Sequence, residues 1–268
     1  FVREDQKKPL EAYLPRLGTL TFEVHLGSML DKTRRITALV EKLAEPMGLT
    51  PEEEKITRRA AELCKADLAT QMVVEMTSLQ GQMGRYYALR SGEPEAVALA
   101  IYEHYLPRYA GDAIPKSRPG LLVGIADRLD TLAGLFAAGL APSGNKDPFA
   151  QRRAALGLVQ NLIAWNLDFD IALGLRAAAD LLPIPASVES QAAVKEFLVE
   201  RLRNALLDQG WRYDVVDAIL AVQGSNPAGA ARAVRQMSKW TKRPDWNDIL
   251  PTYARCVRIT REFSETFP

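Results

Sequence analysis

The sequence predicts an all-α protein, on three observations. Apolar residues recur at three- and four-residue spacing through nearly every segment. Helix-start signals are frequent, and strand signals are confined to one short extended piece, "GTLTFEVH" (18–25). In chain order, "HLGSMLDKTRRITALVEKLAEPM" (25–47) brings Leu26, Leu30, Ile36, Leu39, Val40 and Leu43 near one helical face. Thr50, Pro51 and Glu53 then form an N-cap, a proline at the first helical position and the acid of a capping box. That start is expected to launch a helix through "ITRRAAELCKADLATQMVVEM" (56–76), with Ile56, Ala60, Leu63, Ala66, Asp67, Thr70 and Val74 turned inward. After a break at "TSLQG", the helix "QMGRYYALR" (82–90) stops at Ser91-Gly92, and Glu93-Pro94 opens the next one. The loop "AGDAIPKSRPG" (110–120) leads into the apolar helix "LLVGIADRLDTLAGLFAAG" (121–139). Asp147 as a cap with Pro148 at the first position starts "PFAQRRAALGLVQNLIAWNL" (148–167). "LPIPAS" (182–187) reads as a linker, followed by amphipathic helices at about 188–209, 212–222, 227–242 and 245–262. The domain reading is a larger helical unit over 1–182 and a smaller one over 188–268, with no internal repeat.

The bulk numbers bound the class. A chain of 268 residues with 47% apolar and 25% charged side chains buries roughly three quarters of its unfolded surface and needs no staples. Its two cysteines, Cys64 and Cys256, lie far apart in helical segments, which points to a reducing, cytoplasmic setting without a disulfide framework. No apolar run approaches the roughly 18 residues of a membrane-spanning helix, so no membrane partner is expected. The chain opens at Phe1 and turns helical at once, which reads as a fragment of a longer polypeptide. With a net charge of +1, nucleic-acid affinity has to come from local basic clusters. His25 and His104 are the only histidines, and neither the histidines nor the cysteines have ligand spacing. No phosphate-binding glycine loop and no Gly-x-Ser-x-Gly elbow is present.

Two aspartates in apolar helices draw the eye: Asp67 in "CKADL" and Asp127 in "GIADRLD". In HD-type phosphohydrolases two histidines and two aspartates on several helices hold metals that activate a water. Here Ala66 stands where the histidine of the His-Asp pair is expected, and "KTRR" (32–35) stands where the first histidine is expected. The two carboxylates could hold Mg²⁺ weakly. They could equally pair with Lys65, Arg128 or Arg85, or cap backbone groups. Basic residues recur at helical spacing: Arg232, Arg235, Lys239 and Lys242 form one stripe, and Arg255, Arg258 and Arg261 another. Arg34-Arg35, Arg58-Arg59 and Arg152-Arg153 are paired in sequence. Such groups suit phosphates, or form a solvated face with ion pairs one turn apart. Lys146, Arg152 and Arg153 around one helix start are a candidate phosphate patch. Gly81 and Gly84 permit close backbone approach beside Tyr86 and Tyr87, and Cys64 reads as core.

Taken in order, "HLGSMLDKTRRI", "KADLATQMVVEMTSLQGQMGRYYAL", "YLPRYAGDAIP", "ADRLDTLAGLF", "GNKDPFAQRRAALG" and "WRYDVVDAILAV" resemble the β-subunit family of bacterial tetrameric glycyl-tRNA synthetases, essentially end to end. The resemblance implies a degenerate HD-type helical domain, with Ala66, Asp67 and Asp127 at its former metal positions, followed by helices leading to an anticodon-binding (DALR-like) region that begins near "YARCVRITREF". It implies tRNA(Gly) and the synthetase α subunit as partners, with no DNA. ATP and Mg²⁺ are used by the α subunit, so this fragment needs no cofactor and no metal and catalyses nothing alone. The tRNA-binding residues it suggests are Lys146, Arg152, Arg153, Arg58, Arg59, Arg232, Arg235 and Lys239. A residual HD-type phosphohydrolase and a purely structural module docking the α subunit are the competing readings.

Overall fold

The computed structural model describes residues 1–109 and 111–261. The chain opens with α1 (Val2–Asp5), a 3-10 segment (Leu10–Thr19) and an antiparallel hairpin of β1 (Thr21–Glu23) and β2 (Gly27–Ser28); β1 falls in the extended piece expected from the sequence, and β2 takes the start of the stretch expected to be helical. Next come α2 (Met29–Ala44), α3 (Pro51–Leu63), a 3-10 turn (Ala66–Ala69), α4 (Gln71–Glu75) and a second turn (Thr77–Leu79). After them stand α5 (Gln82–Arg90), α6 (Glu95–Glu103), α7 (Arg118–Ala137), α8 (Gln151–Ala164) and α9 (Ile171–Ala179). α10 (Val188–Asp208), α11 (Tyr213–Gln223), α12 (Pro227–Trp240) and α13 (Trp246–Thr260) complete the described chain. The described residues are all-α apart from the hairpin. Glu262 and Phe263, which the sequence reading placed in the last helix and its motif, lie outside the described residues. No helix among the described residues is long and apolar enough to cross a membrane.

α7 is apolar nearly all round its circumference, and a helix of that kind has to be enclosed. Ser117 caps it and Pro119 sits in its first turn. α2, α3, α6, α8, α9 and α10 all pack against it. One apolar cluster runs from Leu10 through Leu122 and Leu129 of α7 to Leu198 of α10, Val216 of α11 and Val234 of α12. Side chains on both sides of the 182–187 link therefore enter the same core. α13, by contrast, has no buried residue.

Two elements differ from the sequence expectation. The helix begun at Thr50 has the expected capping box but ends at Leu63. Thr70 starts a new helix by accepting a hydrogen bond from the Val73 amide. The break changes the phase, so Val73 is buried while Val74, expected inside, is 58% exposed. α8 begins at Gln151, not at Pro148. Asp147 still caps it, from further out: its two carboxylate oxygens accept the Gln151 and Arg152 amides at 2.8 and 2.9 Å.

Candidate functional site

A cluster of buried polar groups sits where α2, residues 64–69 and α7 meet. Lys32 and Arg35 are adjacent on the inner face of α2, because residues three apart on a helix lie side by side. Asp127, Asp130 and Thr131 present themselves likewise on α7. The Lys32 ammonium donates to Asp130 Oδ2 (2.9 Å) and Thr131 Oγ1 (2.7 Å), and lies 3.0 Å from Asp127 Oδ1. Arg35 donates from Nε to Asp130 Oδ1 at 2.6 Å and from Nη1 to the Leu26 carbonyl at 2.9 Å. Lys65 arrives from the end of α3. Its ammonium donates to Asp127 Oδ2 at 2.7 Å and to His104 Nε2 at 2.9 Å, over the face of the Tyr105 ring.

This geometry fixes the charge states. His104 Nδ1 donates to the Ile101 carbonyl at 2.6 Å, so Nε2 is the lone pair that receives Lys65. Burial, reinforced by the Lys65 charge, holds the imidazole pKa well below its usual value and keeps it neutral. Burial pushes the Asp127 carboxyl up, but Lys65 and Lys32 outweigh it and hold the group well below the usual carboxylate range. Two ammonium groups thus occupy the space around Asp127 that a metal cation would take. Among the described residues no three His, Cys, Asp or Glu side chains converge as a ligand set.

Asp67 has different partners. Its Oδ2 accepts the Gly81 amide at 2.6 Å and the Gly84 amide at 3.1 Å. It therefore ties the turn after α3 to the start of α5, and Ala66 beside it is fully buried. Burial raises the Asp67 carboxyl to about 6 despite those amides. The two glycines do permit close approach, but of protein groups. A Cβ on Gly81 would lie 2.5 Å from the Tyr105 ring, and one on Gly84 would lie 3.0 Å from Asp67 itself. Capping is the common use of carboxylates here: Asp5 takes the Gln71 and Met72 amides, Glu103 those of Lys116 and Ser117. Tyr87 is buried and donates to Asp5, while Tyr86 stays partly exposed. Cys64 is fully buried and its thiol is pushed up to about 12 by burial, so it packs as core; Cys256 is exposed and unpaired.

Arg128 lies one residue from Asp127 but serves another purpose. Its guanidinium donates to the carbonyls of His104, Gly124, Tyr105, Leu106 and Pro107. It pins the loop after α6 onto α7. Burial lowers its pKa to about 10, so it stays charged at neutral pH. Arg85, the other expected partner for the aspartates, reaches only the Glu95 carboxylate among the described residues, at 3.8 Å.

The candidate RNA-contacting side chains fall into two groups. Arg58 pairs with Glu41 and Glu62, Arg59 with Glu93, Glu11 and Glu62, and Arg232 with Asp168. Among the described residues no carboxylate pairs with Lys146, Arg152, Arg153, Arg235 or Lys239. Arg152 turns back to the Gly144 carbonyl at 2.7 Å, whereas Arg153, one position on, lines a cavity beside α7. Neighbours in sequence point about 100° apart on a helix, so these two arginines do not act on one point. Lys32, Arg35, Asp130 and His104 of the buried network were not singled out as partners from sequence. The available signal was a Lys and an Arg at core-facing positions of the α2 stripe.

These features define the class: an all-helical domain built around a closed network of carboxylates, lysines and guanidinium groups. The chain belongs to the glycyl-tRNA synthetase beta subunit family, whose profile matches residues 1–221. It is similar to the glycine–tRNA ligase beta subunit of Moorella thermoacetica, 39% identical over 100% of this chain and 39% of that protein. The beta subunit from Trichodesmium erythraeum is 45% identical over 85% of this chain and 32% of its own length. A chloroplastic/mitochondrial glycine–tRNA ligase of Arabidopsis thaliana is 38% identical over 97% of this chain and 24% of its own length. The chain thus spans well under half the length of the curated relatives it matches.

Proposed function

We propose that this chain is the tRNA-gripping part of a glycine–tRNA ligase β subunit. It holds tRNA(Gly) so that the acceptor end reaches the class II active site of the α subunit in the cytoplasm, where ATP and Mg²⁺ activate glycine. Its own residues do no chemistry. The degenerate HD-type reading fits a centre in which lysines stand against Asp127 and Asp67 caps backbone.

The observation that carries the proposal is the division among the basic side chains. A cation already paired to a carboxylate has little to offer a phosphate, whereas an unpaired exposed one gains a partner and releases counterions. Arg235 and Lys239 lie one turn apart on the exposed face of α12, and Lys146 is exposed at the turn before α8. These are the contacts expected to contribute most. Arg58, Arg59 and Arg232 have to exchange a protein partner first and are expected to contribute less. Full-length β subunit assembled with its α subunit, with Lys146, Arg235 and Lys239 replaced together by Gln, is the test. Its affinity for tRNA(Gly) should fall, and the plot of log affinity against log salt should flatten by about one to three units. An unchanged slope removes these residues from the interface. Unchanged tRNA affinity with a weakened α–β assembly would favour the docking-module reading.

A further inference from the structure

A cavity of about 480 Å³ opens beside the buried network, between α7, the loop after α6 and the first turn of α8. Its charged lining is Arg108, Arg128, Arg153 and Asp127. Asp127 is neutralised from its inner side, since Lys65 and Lys32 lie 2.7 and 3.0 Å from its two oxygens. Asp112, in the same loop, accepts from the Arg108 and Ala113 amides. The cavity therefore presents three guanidinium groups against one compensated carboxylate, and His104 in its wall is neutral.

The three arginines are not equivalent. Arg128 contributes charge, but its donors are taken by backbone carbonyls. Arg108 makes one long bond, from Nη2 to the Gln80 carbonyl at 3.3 Å, and its buried Nε has no acceptor. Its guanidinium is held in place over the Tyr102 ring. Arg153 is exposed and meets no carboxylate among the described residues. The buried Tyr105 hydroxyl, in the same lining, also lacks a partner. Tyr109, 64% exposed, stands at the rim.

We infer that this cavity is a binding site for one phosphate group of a ribonucleotide, held by Arg108 and Arg153 over the fixed charge of Arg128, with the attached base stacking on Tyr109. Donor-rich, unpaired guanidiniums in a concave site match phosphate geometry. An exposed aromatic ring at the mouth suits an unpaired base and no base in particular. The inference rests on the tRNA-gripping reading for its source, an RNA strand; a free mononucleotide has the same chemistry.

The test uses the full-length β chain carrying Arg108→Gln and Arg153→Gln, singly and together. Each protein is titrated with a 5′-phosphorylated single-stranded RNA trinucleotide and, separately, with adenosine monophosphate. The double variant should bind the trinucleotide about tenfold more weakly, with a salt slope shallower by about one. Lys195→Gln, an exposed lysine on α10 outside the cavity lining, should bind as the unaltered chain does. Equal loss for adenosine monophosphate assigns the site to a free nucleotide and keeps the phosphate. Affinities for both probes that do not change in Arg108→Gln or Arg153→Gln overturn the site. Arg153 lies on the surface, so its variant still reports on the site if Arg108→Gln fails to fold. A chain whose variants bind tRNA(Gly), the trinucleotide and adenosine monophosphate all with unchanged affinity loses this inference and keeps the tRNA reading. Binding of adenosine monophosphate through these arginines, without any RNA binding, does the reverse.

Discussion

Asp67 and Asp127 are both carboxylates in apolar segments, and their surroundings drive them in opposite directions. Asp127 meets two ammonium groups and stays ionised far into the acid range. Asp67 meets two amides and the Lys65 charge, together too little to offset burial, and is raised to about 6 from an ordinary 3.8. Between those values the folded chain keeps a proton that the unfolded chain has released, so this group's contribution falls as pH rises from about 4 to about 6. Asn at this position retains an oxygen for Gly81 and Gly84 and does not titrate. Asp67→Asn should therefore gain on the natural chain by about 2 kcal/mol between pH 4 and pH 7. Urea unfolding at the two pH values measures this, and a pH-independent difference would refute the assignment. Comparing the two proteins cancels other acid-range groups, among them neutral His104, whose lowered pKa costs stability as pH falls below its ordinary value. The sequence showed that both aspartates needed partners and offered Lys65 or a backbone cap among the options. It could not distribute them, because which lysine reaches which carboxylate depends on how α2, α3 and α7 cross.

At the scale of elements, local chemistry was readable where it acts locally. Both ends of the Thr50 capping box are within one turn of chain, and the structure has Thr50 Oγ1 accepting from the Glu53 amide with the Glu53 carboxylate accepting from the Thr50 amide. The early end of α3 was not readable, because a distant contact dictates it: Asp67 has to leave the helical path to reach Gly81 and Gly84 in the next segment. The two kinds of determinant should differ in cost. Thr50→Ala removes a cap and should destabilise by about 1 kcal/mol. Gly81→Ala places a Cβ at φ +78°, 2.5 Å from the Tyr105 ring, and should cost at least about 2 kcal/mol. Chemical denaturation midpoints rank the pair, and the reverse order would mean that the turn relaxes freely around Asp67.

At the scale of the whole molecule, α10, α11 and α12 close the same apolar cluster that α7 centres. Leu198 on α10 is fully buried in it, although it follows the 182–187 link. Truncation to Ala leaves a cavity in a shared core, so Leu198→Ala should lower stability by about 2–5 kcal/mol. The loss should appear as one transition, reported alike by probes on α2 and on α12. Two separated transitions, with only the later helices affected, would instead support independent units on either side of the link.

The sequence by itself determined the helical class, most helix starts, the apolar faces and the family, because periodicity, caps and long motifs are properties of neighbouring residues. Only the tertiary structure decided that lysines stand around Asp127, that Asp67 is a backbone cap, and that Arg152 and Arg153 serve different places. The physical reason is range. A buried charge is settled by whatever crossing helices bring within about 3–4 Å of it, and no pattern along the chain records that crossing.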